Sequence, residues 1–377
     1  MKNRNLIILT GLLLIIGLLF ISLSSISQAV SATSDKYYFI KKQLLWSSFG
    51  IISFIIASKL KFTFIKKNAS ILYYLCVVLL ILVLIPQFSN LTLGARRWFN
   101  FGFIGIQPSE IFKLSAVIFF AKIFQNEPTR NLKTLIVYLT IPIVLIVLEP
   151  NLSTAILTTA MVITIYYLSG AEITSLFIFC VFVVAASTLL IFTSPYRLQR
   201  LESLVDPNNS SSYHSEQMIL ALSSGHWTGK GLANSDQKYS YLPEVSTDSI
   251  LAVIGEEIGF IGATAVIILF LFLILQIIKI GQNAPDPFSS LLVFGIALWI
   301  GYQSLINIAA VVALVPLTGI PLPLVSYGGS SLITVMFALG LVQNVQYQSV
   351  LVYSNSREKL KNNHYHRHSP HSRHRAH

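Results

Sequence analysis

Between Ser223 and Gly262 the chain reads SSGHWTGKGLANSDQKYSYLPEVSTDSILAVIGEEIGFIG, a polar, glycine-punctuated segment that runs into an apolar one. It delivers Glu244, then Thr247 and Asp248, to the mouth of a long apolar helix. Glu256 and Glu257 follow about two turns further in, at ~1.5 Å of rise per residue. Carboxylates at a membrane surface or inside a span are costly unless solvated or paired, which makes them functional candidates. The simpler role for Asp248 is to cap the helix start, as Asp often does. Cations gather on the same stretch and its neighbours: Arg197, Arg200, Lys230 and Lys238 here, and Arg96 and Arg97 in a second loop. Such a basic face suits an anionic lipid headgroup or a diphosphate, through charge-assisted hydrogen bonds. A solvated basic loop is the alternative.

The elements that must position these groups are membrane helices. The 377 residues are 54% hydrophobic and only 11% charged, where soluble domains carry roughly 25% charged residues. Apolar runs repeatedly exceed the ~18 residues that read as a spanning helix. Ten spans can be placed, at 5–27, 42–60, 70–88, 110–126, 133–149, 152–169, 172–194, 249–280, 287–315 and 328–348. The fourth is the weakest, because Glu110, Lys113 and Lys122 interrupt it. Residues 6–23 lack a convincing cleavage pattern, and more spans follow, so they read as a retained first helix. Cys76 and Cys180 both sit in apolar runs, which argues against a disulfide framework or a zinc site.

Positive charge selects the orientation. With the N-terminus inside, sixteen of the 26 Lys and Arg residues fall on the cytoplasmic side and nine on the outer side, with Lys113 inside a span. Both termini are therefore expected in the cytoplasm. The net charge of +11 is read as anchoring charge and not as a nucleic-acid footprint. The outer segment 195–248, between spans seven and eight, is 54 residues long, and loops of that length are usually functional. Without cysteines or a long apolar run, it is expected to pack on the bundle. The chain thus reads as one all-α polytopic membrane domain, 1–354, and a basic tail, 355–377, holding six of the eight histidines. The tail's polar composition predicts disorder and attraction to anionic lipid.

Four further clusters sit where spans meet the outer surface. The first is Gly94-Ala95-Arg96-Arg97-Trp98-Phe99, followed by Gln107-Pro108-Ser109-Glu110 and Lys113. There Pro108 fits a helix start, and Glu110 with Lys113 is an i,i+3 pair able to neutralise itself. The second, Glu149-Pro150-Asn151-Leu152-Ser153-Thr154, marks a tight corner between helices. The third is Pro195-Tyr196-Arg197-Leu198-Gln199-Arg200, then Asp206-Pro207. The fourth runs from Pro316 to Pro323 and on into Ser326-Tyr327-Gly328-Gly329-Ser330-Ser331, with Asn307 buried before it. Free N–H groups from Gly328 to Ser330 and Ser331 would form an anion seat at a helix N-terminus; a glycine hinge for close packing is the alternative.

Taken in this order, the clusters resemble the SEDS family (shape, elongation, division and sporulation), which includes FtsW, RodA and SpoVE. The likeness covers about residues 40 to 350 and rests on GARRW, QPSE with Lys113, EP-L-T, PYR with DP, GKGL, LPE with TD, EE-GF-G and PLPLVSYGGSS. Asn151 departs from the acidic residue usual in the second motif. Ser249 follows Asp248, and with Thr318-Gly319-Ile320-Pro321 this leans towards the FtsW branch. The resemblance implies a peptidoglycan glycosyltransferase that polymerises lipid II at the outer face of the bacterial cytoplasmic membrane. It also implies a class B penicillin-binding protein as partner, with other division proteins around it and no nucleic acid. Asp248 corresponds by motif to the family's essential outer aspartate.

The implied chemistry is an inverting attack by a sugar hydroxyl on an anomeric carbon that carries a polyprenyl diphosphate. It needs a base, assigned to Asp248, acting alone or through a divalent cation such as Mg2+ or Mn2+. It also needs cations on the leaving diphosphate, assigned to Lys113, Arg197, Arg200 and Lys238, with Arg96, Arg97 and Ser330 in support. Glu256 and Glu257, about 12 Å along the axis from Asp248, read as structural partners for buried cations, and Glu110 and Glu244 as secondary groups. Competing readings are a RodA-like elongation polymerase, a lipid II flippase and a non-catalytic scaffold for a penicillin-binding protein. The flippase is weakened by the absence of an evident internal repeat.

Overall fold

The computed structural model describes residues 4–25, 35–89, 95–101, 104–194, 198–199, 213–235 and 247–367. Each of the ten predicted spans falls on a helix: α1 (Asn5–Ser24), α2 (Tyr38–Lys59), α3 (Phe62–Leu84), α4 (Pro108–Phe124), α5 (Leu132–Leu148), α6 (Leu152–Leu168), α7 (Ile173–Phe192), α9 (Ile250–Gln282), α10 (Pro287–Val311) and α11 (Gly329–Arg367). Five of them, α1, α2, α3, α9 and α10, are long and apolar enough to cross a membrane by length and composition alone. An additional helix, α8 (Tyr213–Ser224), lies within the segment read as the outer loop. It packs on α9 and buries Met218 and Ala221. The last helix continues to Arg367, into the segment whose composition predicts disorder, and 368–377 lie outside the described residues.

Local sequence explains where the helices begin. Pro108 opens α4, with Glu110 in the first turn and Lys122 in the last, the arrangement that suits the helix dipole. Asn131 caps α5 by accepting from the Thr134 N–H at 2.8 Å. Asp286 caps α10 through the Ser289 N–H at 3.1 Å, one residue ahead of Pro287.

The interrupted fourth span turns out to be the central helix. α4 is buried on nearly every side, from Pro108 and Phe112 through Phe119 and Phe120 to Phe124, and it touches α3, α6, α10 and α11. A helix apolar all round belongs in the middle of a bundle. Around it, α2 lies along α11, and α9 packs against α10 and α1. Trp46 of α2 seats its indole on Gly329, where any side chain would overlap the ring. α7 stands at the edge, separated from α5 and α6 by an apolar cleft of about 780 Å³ lined by Ile136, Ile143, Ala155 and Phe182 among others.

The loop carrying Arg96 and Arg97 also holds a short antiparallel hairpin that periodicity did not reveal. Its strands, β1 (Phe99–Phe101) and β2 (Ile104–Ile106), pair Phe99 with Ile106 and Phe101 with Ile104.

Candidate active site

Asp248 stands just outside the start of α9. The first helical residue is Ile250 and the N-cap position belongs to Ser249, so Asp248 is not the capping residue. Its side chain is half-buried. Its backbone is tied down by Asn307 of α10, whose Nδ2 donates to the Asp248 carbonyl at 3.1 Å and to the Ile320 carbonyl at 2.9 Å. The loop between α10 and α11 is thereby drawn against the start of α9. Gly319, at φ +70°, sits over the carboxylate, and a Cβ there would lie 3.7 Å from Asp248 Oδ2. That loop is braced internally by Ser326, whose Oγ accepts from the Leu322 N–H at 2.8 Å.

One turn along α10 from Asn307, Gln303 joins the same loop to α4. Its Nε2 donates to the Pro321 carbonyl at 2.9 Å, while its Oε1 accepts from Lys113 Nζ and from Trp299 Nε1, each at 2.8 Å. Lys113 also forms the expected pair with Glu110, at 2.7 Å, and lies 5.2 Å from the centre of the Trp299 ring. Lys113 is only 1% exposed. Its ammonium is therefore committed to Glu110 and Gln303 inside the bundle, a different set of partners from the diphosphate expected of it. Trp299, Gln303 and Asn307 share one face of α10 at four-residue spacing, a polar ladder in an apolar run that the sequence reading left largely unused.

The other predicted groups divide. Ser330 is buried, and its Oγ accepts from the Gln107 N–H at 3.2 Å and donates to the Gly105 carbonyl at 2.9 Å. It pins the hairpin and the head of α4 to the first turn of α11, so its hydroxyl serves the scaffold. Arg97 donates through Nε to the Glu149 carbonyl at 2.8 Å and through Nη2 to the Pro150 carbonyl. This holds the hairpin loop onto the α5–α6 corner, where Asn151 caps α6 by accepting from the Thr154 N–H at 3.4 Å. Arg96 is half-buried, and its Nη1 has no hydrogen-bond partner among the described residues. Tyr327, beside Phe39, has its phenol pushed up to about 12 by burial and by Tyr38, so it stays a neutral donor. Arg197, Arg200, Lys238 and Glu244 lie outside the described residues.

Deeper in α9 the carboxylate of Glu256 is fully buried and gathers the outer segment around it. Lys230 Nζ reaches its Oε1 at 2.9 Å, Ser224 Oγ donates to the same oxygen at 3.3 Å, and Ser235 Oγ donates to Oε2. Glu256 thus has a cation partner as expected, but that cation is Lys230, which charge counting left among the loop cations. Glu257 is equally buried. As for a metal, Asp248 offers one carboxylate, and among the described residues no group of three His, Cys, Asp or Glu is arranged to hold an ion.

Comparison with known proteins decides the family. The cell cycle protein family that groups FtsW, RodA and SpoVE matches residues 3–350. The chain belongs to this family. It is 35% identical to the stage V sporulation protein E of Bacillus subtilis, over 91% of this chain and 96% of that protein. It is 34% identical to the probable peptidoglycan glycosyltransferase FtsW of Coxiella burnetii, over 91% of this chain and 95% of that one. Among solved structures, a chain of a peptidoglycan synthase complex superposes with a TM-score of 0.77 at 24% identity, covering 92% of this chain and 98% of that one. The rod shape determining protein RodA of Thermus thermophilus superposes with a TM-score of 0.67 at 24% identity, covering 92% and 97%. The fold is that of a polytopic membrane protein of this family.

Proposed function

We propose that the protein is an FtsW-like peptidoglycan glycosyltransferase that polymerises lipid II at the outer face of the cytoplasmic membrane, with both termini inside. The observation that carries the reading is Asp248, half-buried at the mouth of α9, its backbone carbonyl held by Asn307 and its carboxylate under the loop at Gly319. Membership of a family whose relatives include named peptidoglycan glycosyltransferases supports the activity. A penicillin-binding protein is the proposed partner, in keeping with the likeness to a chain of a synthase that couples polymerization to crosslinking.

In the proposed reaction a sugar hydroxyl oxygen forms a bond to the anomeric carbon of a second lipid II. The bond from that carbon to the diphosphate oxygen breaks, and the polyprenyl diphosphate leaves with the electron pair. Asp248 takes the hydroxyl proton. Since Lys113 is committed inside the bundle, the diphosphate falls to Arg197, Arg200 and Lys238.

The test is Asp248→Asn, assayed with labelled lipid II and the candidate partner. Asn is close in shape, and Asp248 is not the cap, so the fold should survive. Loss of a general base typically costs about 10²–10⁴-fold in rate. A variant that makes glycan strands at the parental rate would refute the assignment.

A further inference from the structure

α9 is two helices. At Gly259 the backbone adopts φ +70° and ψ −174°, outside any helical conformation, so Ile250–Ile258 and Phe260–Gln282 are separate rods. The break is filled by the outer segment. The N–H groups of Lys230 and Gly231 donate to the carbonyls of Glu256 and Glu257 at 3.0 Å each. In return the N–H groups of Phe260 and Ile261 donate to the carbonyls of His226 and Trp227, at 2.9 and 3.2 Å. Backbone groups orphaned by a helix break are thus satisfied by an inserted turn, as the membrane interior requires. The approach is so close that a Cβ at Gly225 or Gly229 would overlap the carbonyls of Gly255 or Glu257.

This arrangement has a consequence for Asp248. The nine-residue half-helix Ile250–Ile258 carries Asp248 at its outer end. The helical ladder across Gly259 does not fix its direction. Core packing of its buried residues does, together with Asn307 at the outer end and the insert at the inner end. At the inner end, Glu256 binds Ser224, Lys230 and Ser235 together, with both oxygens engaged. We infer that Glu256, with Lys230, is a positioning residue for catalysis: it locks the outer segment into the break of α9 and so sets where the half-helix presents Asp248. The inference rests on the reading of Asp248 as the acting carboxylate.

The experiment compares Glu256→Gln, Lys230→Met and the double variant of the full-length protein with its partner, in glycan synthesis from labelled lipid II. Glu256→Gln keeps the size and can still hydrogen-bond to the two serines, so it separates the charge pair from bulk packing. Each single variant is expected to lower kcat per folded molecule about 10-fold or more with KM within twofold; Glu256→Gln should unfold near the parental temperature and keep partner binding, whereas Lys230→Met, which strands the buried Glu256 carboxylate, should also lose thermal stability. Because the two residues act as one unit, the double variant should be no slower than the worse single. Equal and independent losses that multiply in the double variant would overturn the inference, as would parental kcat in both singles. A fall in kcat matched by a fall in folded, monodisperse protein would assign Glu256 to stability alone and overturn it too. Should a single variant fail to accumulate, the double variant, which leaves no buried charge unpaired, carries the same kcat and KM comparison with the parent. Asp248→Asn runs alongside: an active Asn variant sinks the reading of Asp248, whereas an inactive one beside a normal Glu256→Gln sinks only the positioning role.

Discussion

Replacing Lys113 by Met separates a structural cation from a substrate-binding one. Met preserves most of the length and removes the charge. In the parent, Lys113 and Glu110 are 2.7 Å apart with side-chain exposures of 1% and 4%, and Glu110 Oε2 already lacks a hydrogen bond. Taking away the ammonium strands a buried carboxylate in the first turn of α4 and also deprives Gln303 Oε1 of one of its two donors. Breaking a buried pair by removing one partner costs about 3–5 kcal/mol. On a total stability of roughly 5–15 kcal/mol, typical of folded domains, that is a large fraction. Replacing both partners with uncharged residues of similar size is often close to neutral, so Glu110→Gln combined with Lys113→Met should recover most of the loss. Thermal unfolding of the purified protein in detergent, followed by size-exclusion chromatography, measures both variants. A Lys113→Met protein as stable as the parent but unable to use lipid II would refute the reasoning and return Lys113 to the diphosphate.

Two further outcomes can be checked directly. Gly259→Ala forces a side chain into a glycine-only backbone region, worth about 1–3 kcal/mol, and onto the insert at Trp227 and Gly229, so it should lose both stability and polymerisation. Gly11→Ala, where a Cβ meets nothing within 4 Å, is the silent control, and equal behaviour of the two would contradict the described break. For orientation, cysteines placed singly at exposed positions of α8 and its flank, such as Leu220 or Leu232, should react with a membrane-impermeant thiol reagent on intact cells, whereas positions in 59–69 should not. The reverse pattern would put Asp248 on the wrong side of the membrane.

Much of the architecture was legible because membrane helices announce themselves by length and apolarity. The positions of all ten helices followed from that signal alone. What the signal obscured was rank. Charges at Glu110, Lys113 and Lys122 made the fourth span look the least secure, yet α4 is the axis of the bundle, since two of those charges neutralise each other within one turn. The break at Gly259 was illegible for a different reason. EEIGFIG reads as unbroken apolar helix, and its interruption depends on backbone partners some thirty residues earlier, at His226 to Gly231. Lys230 was miscounted as a loop cation for the same reason: its partner Glu256 is 26 positions away. The three-residue strands at 99–106 are too short for alternation to register. Asp248 could be singled out from its setting, but the pins that hold it, Asn307 and the carbonyl of Ile320, meet only in three dimensions.

The ion pair inside α4 also bears on how the chain enters the membrane in the first place. A lone Lys at the centre of a span costs about 2.5–3.5 kcal/mol on insertion scales, an upper mark for one in the first two turns of α4, and the helix that would help, α10 with Gln303, is synthesised 190 residues after Lys113. At three residues' separation Glu110 and Lys113 travel as their own counter-ions, so α4 can leave the insertion machinery before its final neighbours exist. Moving the lysine one position closer to Glu110, to an i,i+2 spacing at which the two charges point apart, would leave the mature contacts of Gln303 with Trp299 and Pro321 untouched. It would nevertheless turn α4 into a segment that must wait at the membrane gate for the second half of the protein to arrive.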